Sequence, residues 1–195
     1  MRHAYLTALL AVAALLVSAC TSLPPAEVPA PAGPLRQMVV LDIDGTLTPR
    51  DLDVFEVRPG AAAVVQAYAA KGYALVYVTT RIPGLQTALP KWLATHGFPP
   101  GPLHVAQSAD ERADAAGFKA AVLSRYREAG WQLAYAYGDS GSDFEAYARV
   151  GIPAARVFAL KRRFADSCVG ERYAQCLDGW VDHLPYVERE VLPVR

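Results

Sequence analysis

Three cysteines in 195 residues, with no Cys-x-x-Cys and no paired histidines, leave this chain without a zinc site or a disulfide-built scaffold. Neither sign of charge prevails, since 19 Lys+Arg face 19 Asp+Glu. An even balance gives no electrostatic footprint for nucleic acid, and no such partner is expected. Lysine is scarce, four against fifteen arginines. The most apolar stretch, Ala4 to Val17, holds 14 residues, fewer than the ~20 that a spanning helix needs. There is no internal repeat, and low complexity is confined to one proline-rich segment.

The amino end is set apart from the body. Met1-Arg2-His3 is a short basic lead, the apolar stretch follows, and Val17-Ser18-Ala19-Cys20 supplies small residues before a cysteine. That is the layout of a secretory signal, the alternative being an uncleaved anchor. The tetrapeptide resembles the bacterial lipobox. The resemblance implies cleavage before Cys20 and diacylglyceryl attachment to its sulfur, and Thr21 in place of aspartate implies the periplasmic face of the outer membrane. Residues 1–19 are then the signal peptide, 20–36 the lipidated cysteine with its tether, and 37–195 the globular domain. Loss of residues 1–19 removes one arginine, so the mature chain carries 18 basic against 19 acidic side chains. Leu23 to Pro34 holds five prolines and reads as an extended, disordered tether. Of the other cysteines, Cys168 and Cys176 are either disulfide-bonded, as an oxidising compartment favours, or two unrelated thiols.

Five apolar runs predict buried strands: Met38 to Ile43, Ala74 to Thr79, Leu103 to Ala106, Leu133 to Tyr137 and Ala155 to Ala159. Helical periodicity fills the gaps, over Ala61 to Lys71, Leu85 to His96, Phe118 to Ala129 and Asp143 to Val150. Gly72, Gly97, Gly130 and Gly151 stand where helices end in a left-handed residue. Alternating strand and helix predicts an α/β fold, a doubly wound parallel sheet in three layers.

In such sheets ligands bind beyond the carboxyl ends of the strands, and the polar residues gather there. Asp42-Ile43-Asp44-Gly45-Thr46 follows the first run. Its two carboxylates, at i and i+2, project the same way from an extended backbone, and Gly45 permits a close backbone approach. Thr79-Thr80-Arg81 follows the second run, and Gly138-Asp139-Ser140-Gly141-Ser142-Asp143 the fourth. The chemistry that fits is phosphoryl transfer. Asp42 would be the nucleophile and Asp44 the general acid and base. Thr79 would donate its hydroxyl to a phosphoryl oxygen, and Lys119, opening a helix after the polar loop Gln107 to Gly117, would offset developing charge. Asp42 and Asp139 would supply carboxylate oxygens and Asp44 its carbonyl for Mg2+, with Asp143 either a ligand or a partner behind them. Gly45, Thr46, Thr80 and Arg81 are the candidate substrate contacts, although Arg81 would equally suit a core acid.

Together these elements resemble the four signature motifs of the haloacid-dehalogenase (HAD) superfamily. The resemblance implies strand order 5-4-1-2-3, a shared magnesium site and an aspartyl-phosphate intermediate. Val57-Arg58-Pro59-Gly60, Tyr77-Val78-Thr79-Thr80-Arg81, Trp92 to Pro99 and Val181 to Leu184 resemble the domain shared by lipins and phosphatidylinositol-transfer proteins. That closer likeness implies a phospholipid-like substrate such as phosphatidate. A phosphatase of nucleotides or sugar phosphates, and a non-catalytic phospholipid-binding module, are the alternatives. The spacings Asp44 to Thr79 and Thr79 to Lys119 leave no room for a large cap domain, which suits a phosphate displayed on something large. A monomer, held at the membrane through Cys20, is expected.

Overall fold

The computed structural model describes residues 22–33, 36–50 and 55–194. The expected signal peptide and Cys20 lie outside the described residues. Six strands form one parallel sheet: β1 Gln37–Asp42, β2 Ala74–Thr79, β3 Leu103–Val105, β4 Gln132–Gly138, β5 Val157–Leu160 and β6 Gln175–Leu177. Their order is β3-β2-β1-β4-β5-β6, the expected five-strand order with one strand added at an edge. The helices are α1 Ala61–Ala70, α2 Pro83–Gln86, α3 Leu89–Thr95, α4 Ala109–Ala113, α5 Ala115–Glu128, α6 Gly141–Arg149 and α7 Leu184–Arg189.

The layering follows from side-chain parity on β1. Val39, Leu41 and Ile43 belong to a core with Val64 and Tyr68 of α1, Trp92 of α3, Val187 of α7, and Trp180 from the segment before α7. Met38 and Val40 belong to the other, with Leu123 and Tyr126 of α5 and Phe144 and Tyr147 of α6. Successive residues of a strand face opposite ways, so β1 is buried on both faces and its sequence is a continuous apolar run. Asp42 continues the parity of Met38 and Val40, toward the α5 and α6 side.

Several boundaries differ from expectation, each for a local reason. The single helix expected over Leu85 to His96 is two, because Pro90 cannot donate to the helical ladder and sits instead in the first turn of α3. The loop expected over Gln107 to Gly117 contains α4, started by a reciprocal cap between Ser108 and Glu111. Lys119 therefore lies one turn inside α5 rather than at its start. The fifth strand begins two residues late, after a 3-10 turn at Ala154–Arg156. Strand β6 was invisible to periodicity at three residues. It pairs with β5 from Phe158↔Gln175 to Leu160↔Leu177, and the Cys168–Cys176 disulfide closes the loop between them. The glycines at 72, 97, 130 and 151 all have positive φ. The proline-rich segment also departs from expectation: its described part is bonded to the body, with the Trp131 indole donating to the Pro29 carbonyl at 2.7 Å.

A buried chain of hydroxyls joins the sheet to its carboxyl-terminal segment. Tyr68 and Tyr137 hydroxyls lie 2.7 Å apart, and the Tyr137 hydroxyl lies 2.8 Å from Nε2 of His183. Burial pushes His183 down to about 4, and burial with the nearby Arg125 does the same to His104. The unfolded chain accepts a proton near pH 6.5 that the folded state refuses until about pH 4. Stability present above that upper value is lost as pH falls through the window, on the order of 1 kcal/mol per pH unit for each histidine. Urea midpoints measured across it should decline toward acid, and His183→Gln should decline less steeply.

Candidate active site

Beyond β1 the chain turns tightly, with the amides of Thr46, Leu47 and Thr48 all donating to the Ile43 carbonyl at 3.2, 2.9 and 3.0 Å. Gly45 has φ +82, and a Cβ there would lie 2.0 Å from Oδ2 of Asp139. Only a residue without a side chain lets the first loop close on the fourth. Two residues tie this turn to the rest of the fold. Arg58 donates to the carbonyls of Gly45 at 2.7 Å and Lys161 at 2.8 Å. The Trp180 indole donates to the Thr46 carbonyl at 2.9 Å. Neither was singled out as a site residue. Arg58 belongs to the Val57 to Gly60 motif and Trp180 immediately precedes Val181 to Leu184, but neither motif shows what these residues hold.

Asp42, at the end of β1, meets side chains from three other elements. Lys119 of α5 donates to Oδ1 of Asp42 at 2.6 Å and to Oδ1 of Asp143 at 2.5 Å. Thr46 donates its hydroxyl to the other Asp42 oxygen at 2.8 Å. Asp139, after β4, accepts from Nε of Arg162 at 2.5 Å. One oxygen from each of Asp42, Asp139 and Asp143 falls within 4.8 Å of the others, and all three residues are buried.

Burial pushes the Asp42 carboxyl well above the usual carboxylate range, reinforced by Asp143, Asp139 and Asp44, with Lys119 opposing. Burial alone would lower Lys119, but Asp143 and Asp42 outweigh it and hold the ammonium above its ordinary value. The pocket thus has negative charge in excess of its fixed cations, and every cluster donor is a carboxylate oxygen. A hard divalent cation fits that donor set.

Asp143 stands behind the others. Its Oδ2 accepts from the Ser140 amide at 3.0 Å and the Ser140 hydroxyl at 2.6 Å, capping α6. It does not line the cavity of about 190 Å³ that Asp42, Asp44, Thr80, Lys119, Asp139 and Arg162 help to wall. A larger cavity of about 540 Å³ lies at the opposite sheet edge around Tyr73, Tyr135 and Arg156. With Glu190 its one carboxylate, it has no comparable cluster, so size does not locate the chemistry here.

The other expected residues have partners of their own. Asp44 contributes no carboxylate to the acidic trio: Thr79 donates to its Oδ2 at 2.5 Å and Arg81 to its Oδ1 at 2.9 Å through Nε. The Thr79 hydroxyl thus bonds Asp44 while Thr79 also lines the cavity, and Arg81 pairs with an acid of the site. Thr46 and Gly45 shape and hold the Asp42 turn and do not wall the cavity, whereas Thr80 does.

Residues 39–161 match the family model described as PITM 1-3, LNS2 domain. The chain belongs to the LNS2 domain family. Protein retinal degeneration B of Drosophila melanogaster is 33% identical over 132 residues, covering 65% of this chain and 10% of that protein. Membrane-associated phosphatidylinositol transfer protein 1 of Homo sapiens is 31% identical over 160 residues, covering 78% of this chain and 12% of that protein. This LNS2 domain chain thus spans about a tenth of the length of the relatives it matches. A crystal structure from Mesorhizobium loti, described as a HAD-like phosphatase, aligns with TM-score 0.57 at 16% identity, covering 85% of this chain and 94% of that one. That likeness establishes the shared fold.

The Lys119 ammonium is what lets two carboxylates be buried against each other in the LNS2 core. Lys119→Met should lower unfolding free energy by roughly 3–5 kcal/mol, as removal of one partner of a buried pair does. Urea titration checks it.

Proposed function

We propose that this protein is a Mg2+-dependent phosphomonoesterase acting on a phospholipid-like substrate such as phosphatidate, at the periplasmic face of a bacterial outer membrane. The observation that carries the reading is the convergence of Asp42, Asp139 and Lys119 on one walled cavity where neighbouring strands end. HAD-type fold and LNS2 membership agree with it. The relatives' names, which speak of phosphatidylinositol transfer and membrane association, support the lipid part.

Asp42 has the geometry of the nucleophile. Thr46 and Lys119 fix both of its oxygens, which limits the carboxylate to one orientation. In the first displacement an Asp42 oxygen bonds to phosphorus and the ester P–O bond breaks. The departing alkoxide takes a proton from Asp44, which must swing from its anchorage on Thr79 and Arg81 to deliver it. Water then attacks phosphorus, returns a proton to Asp44, and frees Asp42 and inorganic phosphate. Lys119 stays charged throughout and opposes charge growing on the transferred group. Asp42 and Asp139 would hold Mg2+, whose bound charge would neutralise phosphoryl oxygens.

A shallow mouth suits a phosphate on a bulky carrier, since the connections from β1 to β3 bear helices α1 to α3 and, among the described residues, no separate cap. Asp42→Asn should abolish phosphate release while circular dichroism and melting stay near those of the parent chain. Chelation should do the same reversibly. Release from phosphatidate micelles should exceed release from nucleoside monophosphates. Equal or faster turnover of the nucleotide would defeat the lipid assignment, and no magnesium-dependent release with lipid binding intact would leave a non-catalytic binding module.

A further inference from the structure

The proline-rich strap fixes where the amino-terminal residues leave the body. The Leu23 amide donates to Oε1 of Gln86 at 3.3 Å, and the Leu23 carbonyl accepts from Nε2 of Gln107 at 3.1 Å. Both glutamines follow strands at their carboxyl ends, and Gln86 also donates to the Arg81 carbonyl at 2.7 Å. Further along, Pro29 is held by Trp131, immediately before β4 begins. Leu23 packs on one core and Val28 on the other. Leu23 to Pro29 fully extended spans about 20 Å, close to the length of a six-residue strand. The strap therefore runs from the catalytic edge of the sheet to the opposite edge before the chain turns at Gly33 toward β1. In the sequence Cys20 stands three residues ahead of Leu23.

The same edge gathers the apolar side chains left in water. Among the described residues six large ones are exposed. Phe55, Ile82 and Phe164 lie on the segments leaving β1, β2 and β5. Val181 abuts Gly60 at the amino end of α1, where an added Cβ would come within 2.9 Å of its amide. Phe164 is 82% exposed and sits 5.6 Å from the Arg50 guanidinium and 5.0 Å from that of Arg163. Single exposed apolar residues are ordinary. Four at one edge of the sheet, with arginines among them, have the composition of a surface that enters the headgroup boundary.

We propose that the carboxyl-terminal edge of the sheet rests on a phospholipid bilayer, and that the docked strap enforces this orientation by returning the anchored end to that edge. The arginines beside Phe164 favour anionic lipid, although Glu56 and Asp178 pair with Arg163 and Lys161. The cavity mouth would then face the leaflet that holds the anchor, and a headgroup phosphate would reach Asp42 without its lipid leaving the membrane. The choice of lipid as substrate and the anchored amino end both rest on the function proposed above; the apolar edge does not.

The test places an environment-sensitive fluorophore on Ile82→Cys, Phe164→Cys or Leu192→Cys, in the full chain reconstituted into phosphatidylethanolamine–phosphatidylglycerol vesicles. Labels at 82 and 164 should shift to the blue and resist an aqueous quencher, and the label at 192, near the opposite edge, should do neither. Trp131→Ala with Gln107→Ala should release the strap and return the first two labels toward water. Ile82→Glu with Phe164→Glu should lower turnover of vesicle phosphatidate roughly tenfold and leave hydrolysis of a soluble aryl phosphate unchanged. A label at 192 that responds as strongly as the others would overturn the proposal, as would burial of residue 164 without vesicles through self-association. Membrane-buried labels without any phosphate release would leave this orientation standing and defeat the phosphatase. Release from the aryl phosphate with both edge labels in water would do the reverse.

Discussion

One ammonium holds this site together. Lys119 reaches from the interior of α5 to carboxylates delivered by β1 and by the first turn of α6, which lie 77 and 24 residues from it along the chain. Burial makes each charge expensive alone, and the trio is tolerable because each member is bonded. A buried ion pair is seldom a net source of stability, but breaking it is severe. Its value here is positional. Asp42 presents its carboxylate in one direction, and Asp143 is drawn behind it, leaving Asp139 to face the cavity.

The same economy of position governs the outer contacts. Arg58 and Trp180 bond main-chain carbonyls of the Asp42 turn and its neighbours, and the Arg58 guanidinium also feels the charge of Asp139. Arg81 and Thr79 hold Asp44 apart from the acidic trio. Two carboxylates that sequence parity would send into one pocket thus have separate partners and different freedom. One is fixed where phosphorus would arrive, and the other is held on a pair of contacts that a proton-carrying role requires it to leave.

Much of this was legible because it depends on period and order. The apolar runs locate five of six strands, the strand-end polar clusters contain Asp42, Asp139 and Asp143, and the helix after the polar loop contains Lys119. What escaped were contacts across the chain. Nothing local to Thr79 tells that its hydroxyl is taken by a side chain 35 residues earlier. Arg162 reads as one of three adjacent basic residues, yet it donates to Asp139. Strand β6 is too short to show a period, and its place comes from an edge left open by β5. The strap misled for a physical reason: proline fixes an extended backbone, and composition cannot distinguish an extended segment in solvent from one laid along a surface.

Gly45 carries a consequence beyond this molecule. The volume where a methyl group would project is already occupied by an acidic oxygen of the facing loop. Substitution there is thus a contest between two atoms for one place. A homologue with alanine or anything bulkier at this point must have pulled the facing loop outward, dismantling the cradle even if every acid is retained. The smallest residue in the turn is therefore a better gauge of whether a relative can still grip a cation than the acids themselves.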